Sequence, residues 1–121
     1  MANNKEEFLR KFNQAFVKND IDFIVDNITD DVEWNMVGME TTQSKAAVES
    51  SFKKMENDFN VSEINIENII THGKNASVNG IMKMKEKDKI KNYGFCDVYT
   101  FSGFKNPKIK KLNSYIISLD K

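Results

Sequence analysis

A chain of 121 residues is long enough for one hydrophobic core holding a modest cavity and too short for two independent cores. Its 18 basic and 18 acidic side chains cancel, which excludes a global field for recruiting nucleic acid or an anionic membrane, although half of the basic residues fall between Lys83 and Lys111. The single cysteine, Cys96, excludes an internal disulfide, and neither an apolar signal core nor a run of about 18 apolar residues is present. The expected setting is therefore cytoplasmic, with residues 1–121 forming one domain and Cys96 a reduced, buried thiol.

In chain order, Asn4 and Glu7 are spaced as a capping box, and Phe8, Leu9, Phe12, Phe16 and Val17 then recur at helical spacing until Asn19. Asp20 is placed to cap a short second helix whose apolar stripe is Ile21, Ile24, Val25 and Ile28. After the turn Thr29-Asp-Asp31, residues Val32 to Gly38 alternate as a strand. Ser44 can cap a third helix with Val48, Phe52, Met55 and Phe59 on one face. Beyond Asn60 the period changes to two, predicting strands at about 61–71, 76–87, 90–102 and 108–119 joined by hairpin-like turns. Helices first and strands afterwards predict an α+β domain, a curved antiparallel sheet wrapped around three N-terminal helices.

Within the third of these strands, alternation puts Tyr93, Phe95, Asp97, Tyr99 and Phe101 on one face and Gly94, Cys96, Val98 and Thr100 on the other. Asp97 is thus a carboxylate in an aromatic run, where an unpaired charge is costly and either shifts its pKa or finds a donor. In the preceding strand the same logic points Val78, Gly80, Met82 and Met84 inward, opposite Ser77, Asn79, Lys83 and Lys85. An inner face of aromatics and methionines suits an apolar or planar ligand.

The order helix, helix, strand, helix, four-stranded meander resembles the nuclear transport factor 2-like superfamily, which includes polyketide-cyclase-like (SnoaL-like) and ketosteroid-isomerase-like domains. The resemblance rests on Asn19-Asp-Ile-Asp22, on Thr29-Asp-Asp-Val-Glu-Trp34 entering the first strand, and on Cys96-Asp-Val-Tyr-Thr-Phe101 followed by Lys108-Ile109. It implies a cone-shaped fold with a pocket between the concave sheet face and the helices, and a homodimer through the convex face, where Cys96, Val98, Thr100 and Ile117 need cover. The ligand-binding residues expected on this basis are Phe12, Phe16, Trp34, Met36, Phe52, Met82, Phe95, Asp97 and Tyr99.

The enzymatic branches map incompletely. In ketosteroid isomerases a carboxylate base moves a proton while a tyrosine and a protonated aspartic acid stabilise the dienolate oxygen. Asp97 resembles that aspartic acid, but the tyrosine position falls near Phe12 and the base position near Asn35 and Met36, none of which serves. Limonene-epoxide hydrolases position water with an asparagine in the first strand and activate it through an Asp, Arg, Asp set. Asn35-Met36 resembles that branch locally, yet the Arg and first Asp fall near Val78 to Ile81, the second Asp near Ser114, and the only arginine is Arg10. Alternation moreover points Trp34 and Met36, not Asn35, to the core.

Other candidates read as ordinary structure. His72 sits at a hairpin tip without Cys or carboxylate partners at ligand spacing, so no metal site and no cofactor is expected. Cys96 has no cationic neighbour to stabilise a thiolate. Lys83, Lys85, Lys87, Lys89 and Lys91 recur at every second position, as on an outer strand kept soluble and protected from edge pairing. The leading expectation is a domain that binds a small apolar or aromatic molecule. The alternatives are a lyase, isomerase or cyclase using Asp97 as acid or base, and a dimeric interaction module with a vestigial cavity.

Overall fold

A computed structural model describes residues 4–55, 59–103, 105 and 107–120, apart from the side chains of Asn4, Met55 and Phe59. Helix α1, Asn4–Lys18, turns Leu9 and Phe12 fully inward and stops at Asn19, whose φ of 56° leaves the right-handed helical region. Asn4 is itself helical, so the expected capping box does not start this helix; its cap lies outside the described residues. Asp20 caps helix α2, Ile21–Asp26, its carboxylate accepting the Phe23 N–H at 3.1 Å.

Helix α2 ends two residues before Ile28, which the apolar stripe assigned to it. The Asn27 amide donates to the Phe23 carbonyl at 2.7 Å and closes the helix, while the Asn27 carbonyl accepts the Ile109 N–H at 2.9 Å. Ile28 thereby becomes the first residue of strand β1, Ile28–Met36, paired with Ile109. Strand β2, Thr41–Gln43, follows a turn with Gly38 at φ 86°; three residues are too few to show a period in the sequence. Helix α3, Lys45–Met55, is capped by the Ser44 hydroxyl accepting the Ala47 N–H at 3.2 Å. Phe59, expected on the α3 face, instead opens strand β3 because its backbone pairs with Glu86.

Strands β3 (Phe59–His72), β4 (Asn75–Glu86), β5 (Lys89–Phe101) and β6 (Ile109–Ser118) form the expected meander. The sheet runs β2-β1-β6-β5-β4-β3 and is curved and unclosed. Neighbours are antiparallel except β1 and β6, which are parallel because a whole meander and a helix, and not a short turn, connect them. The α+β cone is thus present. Strands β4 and β5 are interior, so the alternating lysines do not guard an edge; they project around the β4–β5 hairpin, where Lys91 meets Glu86 at 3.2 Å.

The core lies between α1, α2 and the concave sheet face, where Ile24, Ile28, Val32, Val78, Phe101, Ile109 and Leu112 are shielded from solvent. Gly80 sits beside the β3 irregularity at Ile66 to Asn68, and a Cβ there would collide with the Asn65 carbonyl. The two strands can approach this closely only without a side chain. Gly80→Ala is therefore expected to lower stability by about 2 kcal/mol, read from the midpoint of urea denaturation, whereas Gly103→Ala, with open space around its Cβ position, leaves the midpoint within error.

Candidate functional site

The concave face and the helices enclose a cavity of about 530 Å³, open at one end. Its size falls within the range of about 300–1,000 Å³ typical of small-molecule sites. Strand β1 contributes Trp34 and Met36, α1 contributes Phe16, and α3 contributes Val48, Ser51 and Phe52. Val61 and Ile64 of β3, Met82 and Met84 of β4, Phe95 of β5 and Ile116 of β6 complete the apolar wall. Met39 and Glu40 stand at the exposed rim, beside Thr42.

Phe12, Phe16, Trp34 and Phe52 form one packed cluster. Trp34 meets the Phe52 ring edge-on at 5.4 Å and the Phe16 ring at 6.0 Å, and Phe12 meets Phe16 at 5.5 Å. Of the nine expected binding residues, Phe16, Trp34, Met36, Phe52, Met82, Phe95 and Asp97 line the cavity. Phe12 and Tyr99 do not: both are completely buried behind the wall, with their rings 6.2 Å apart. Phe12 supports Trp34 from behind at 6.2 Å, while Tyr99 reaches the site only through its hydroxyl.

Asp97 lies at the inner end, 8% exposed. The β5–β6 register sets it directly opposite Ser114, whose hydroxyl donates to Asp97 Oδ1 at 2.6 Å. The Tyr99 hydroxyl donates to Oδ2 at 3.4 Å, and the Asn13 amide donates to the Tyr99 oxygen at 3.3 Å and to the Leu9 carbonyl at 2.8 Å. Burial pushes the Asp97 pKa up to about 6, against the opposing pull of the Ser114 and Tyr99 hydrogen bonds. Burial and the adjacent carboxylate drive the Tyr99 pKa well above its ordinary value, so the phenol stays a neutral donor.

Among the lining residues that the expected set does not include are Asn13, Ser114 and Glu40. Asn13 shares the inward helical face with Leu9, Phe12 and Phe16, and that spacing was the available signal. Ser114 is identified only by strand register, and Glu40 only by the course of the loop after β1. Asn35 faces away from the cavity as alternation predicts, donating to Asn113 at 3.4 Å and accepting from Thr41 at 3.0 Å. Cys96 is half-exposed on the opposite sheet face, not buried. Among the described residues, no group of three His, Cys, Asp or Glu side chains could hold a metal ion, and no helix is long and apolar enough to cross a membrane.

An acid whose pKa is higher in the folded protein than in the unfolded chain binds its proton more tightly when folded. Asp97 thus contributes stability below pH 3.8, its ordinary value, and that contribution is lost as pH rises through about 6. The shift corresponds to about 3 kcal/mol as an order of magnitude. Asp97→Asn, which keeps the shape without the charge, is expected to raise stability at pH 7.5 by about 1–3 kcal/mol and to flatten the fall between pH 4 and 7, as measured by urea denaturation across pH.

Residues 9–111 match the family model of the SnoaL-like domain. No curated protein matches the chain in sequence. Among solved structures, an epoxide hydrolase of M. tuberculosis, similar to limonene-epoxide hydrolases, superposes with a TM-score of 0.80 at 15% identity, over 92% of this chain and 80% of that one. A nuclear transport factor 2-like protein of unknown function from Cytophaga hutchinsonii gives 0.69 at 24% identity, over 93% and 98% of the two chains. A ketosteroid isomerase-like protein from Erwinia carotovora atroseptica gives 0.74 at 11%, over 96% and 94%. At such identities the likeness is one of fold, and with most of its length matched by the family model, the chain belongs to the SnoaL-like domain family within the nuclear transport factor 2-like superfamily.

Proposed function

We propose that this domain binds a small apolar or aromatic molecule in its cone, in the cytoplasm, with the apolar body against Trp34, Phe16, Phe52 and Phe95 and a polar group at Asp97. The observation carrying this reading is a cavity of about 530 Å³ with an almost wholly apolar wall and a buried carboxylate at its inner end. A vestigial cavity would have collapsed around its side chains or shrunk to the space of a few waters. The half-exposed Cys96 thiol, with no partner cysteine, suits a reducing compartment.

A catalytic reading has one observation in its favour, an Asp97 pKa near working pH, as general acid–base chemistry requires. Against it, Met36 presents a thioether where resemblance to the isomerases calls for a base, and Ser114 stands where resemblance to the epoxide hydrolases calls for a second aspartate. Binding without an assigned reaction is the better-supported function.

The convex face supports a homodimer as the working assembly. Ile117 is 68% exposed, and across the β4–β5–β6 register it shares a face with Ile81, Cys96, Val98 and Tyr115. Such a contiguous apolar surface is characteristic of an interface. Sedimentation at micromolar concentration is expected to give twice the 14.0 kDa chain mass, and Ile117→Lys to give the monomer; a wild-type monomer contradicts the dimer.

Ligand binding is tested with N-phenyl-1-naphthylamine, a neutral apolar fluorophore that brightens on leaving water. Saturable enhancement with one site per chain is expected. Ser51→Trp, which fills the cavity from α3 without removing core atoms, is expected to weaken it at least tenfold. The absence of saturable binding to the wild-type protein overturns the proposal.

A further inference from the structure

The inner end of the cavity has spent its hydrogen-bond donors. The Ser114 hydroxyl is given to Asp97 Oδ1, the Tyr99 hydroxyl to Asp97 Oδ2, and the Asn13 amide N–H groups to the Leu9 carbonyl and the Tyr99 oxygen. What remains there is acceptor capacity. Each Asp97 oxygen takes one hydrogen bond and can take another. Asn13, only 1% exposed, lines the same cavity with both amide N–H groups already engaged.

Charge points the same way. The chain carries 18 basic side chains, yet among the described residues none lines the cavity, whose only ionisable members are Asp97 and, at the rim, Glu40. The described groups placed around Asp97 are neutral: Ser114 of β6 and Tyr99 on its own strand donate to it, Val78 of β4 stands opposite it in the register, and Asn13 and Phe16 of α1 and Phe52 of α3 line the same cavity. A buried carboxylate without a cation is expensive, and the missing cation can come with a ligand.

Resting on the binding reading above, we infer that the preferred ligand class is an aromatic or apolar molecule ending in a protonated amine. An ammonium brings up to three donors to an end of the cavity that offers acceptors only, and compensates Asp97. Trp34, Phe16 and Phe95 line the same cavity, and aromatic rings attract a cation over their faces. A ketone or carboxylate terminus would instead meet acceptors and negative charge, unless Asp97 first took up a proton.

That difference fixes the sign of the pH dependence. An ammonium ligand binds the ionised form of Asp97, so its affinity falls as pH drops through about 6; a neutral acceptor gains over the same interval.

The test compares naphthalen-2-ylmethylamine, naphthalen-2-ylmethanol and naphthalene-2-carboxylate by titration calorimetry. At pH 7.5 the amine is expected to bind at least tenfold more tightly than the alcohol, with the carboxylate weakest. Between pH 7.5 and 5.0 the amine, protonated throughout, is expected to lose about tenfold. Asp97→Asn, shown by circular dichroism to fold, should retain the alcohol and lose the preference, while Glu40→Gln should keep the pH dependence. If the alcohol equals or exceeds the amine at pH 7.5, the charge preference is wrong and ligand binding stands. If none of the three binds at millimolar concentration, the binding reading falls and takes this inference with it. Loss of the pH dependence in Glu40→Gln would remove the assignment to Asp97.

Discussion

A carboxylate held out of water, with no cation beside it among the described residues, is the constraint around which the site is arranged. Asp97 is placed by the alternation of β5, which sends it to the concave face together with Phe95, Tyr99 and Phe101. Two neutral hydroxyls make its ionised form tolerable, and each is positioned by a different feature. Ser114 is fixed by the antiparallel β5–β6 register and Tyr99 by its place two residues along the same strand. Asn13 of α1 then ties Tyr99 to the helix that roofs the cone. The hydrogen bonds recover only part of the solvation lost, which is why the pKa remains high. The helix layer, the sheet register and the electrostatics of the cavity are therefore coupled through one side chain.

Much of this was legible in the sequence, for physical reasons. Helical and strand periods differ, so the change near Asn60 marks where helices give way to the meander, and the four long strands are found almost at their predicted limits. Alternation likewise separated Val78, Met82 and Met84 from the exposed lysines of β4. The difficulties arose where local pattern and tertiary pairing compete. Ile28 continues the α2 stripe, but its partner is Ile109, 81 positions away, and a stripe carries no information about that. Phe12 and Tyr99 are inward-facing as expected, yet inward is not the same as cavity-facing; depth is decided by how α1 seats on the sheet. The Asp97–Ser114 contact required a register that no periodicity supplies.

The cone itself says little about chemistry. Structures sharing it at 11–24% identity include an epoxide hydrolase, a ketosteroid isomerase-like protein and a protein of unknown function, so the fold by itself assigns no reaction and the side chains that each chain puts in the cavity must carry the argument. In this chain those side chains include Met36, Asn13, Asp97 and Ser114. The resulting cavity has an apolar wall and a hydrogen-bond-accepting carboxylate at its inner end, the division that the proposed binding function requires. The described residues that adjoin Asp97 at the inner end are the neutral Ser114 and Tyr99 hydroxyls.

The most direct measurement is the titration of the Asp97 carboxyl carbon by 13C NMR in the free protein, with Asp97→Asn used to assign its resonance. An uncompensated buried carboxylate requires a midpoint near 6, well above the ordinary 3.8. A midpoint at or below 4 would mean that the charge is already solvated or paired, and would contradict the account of the site.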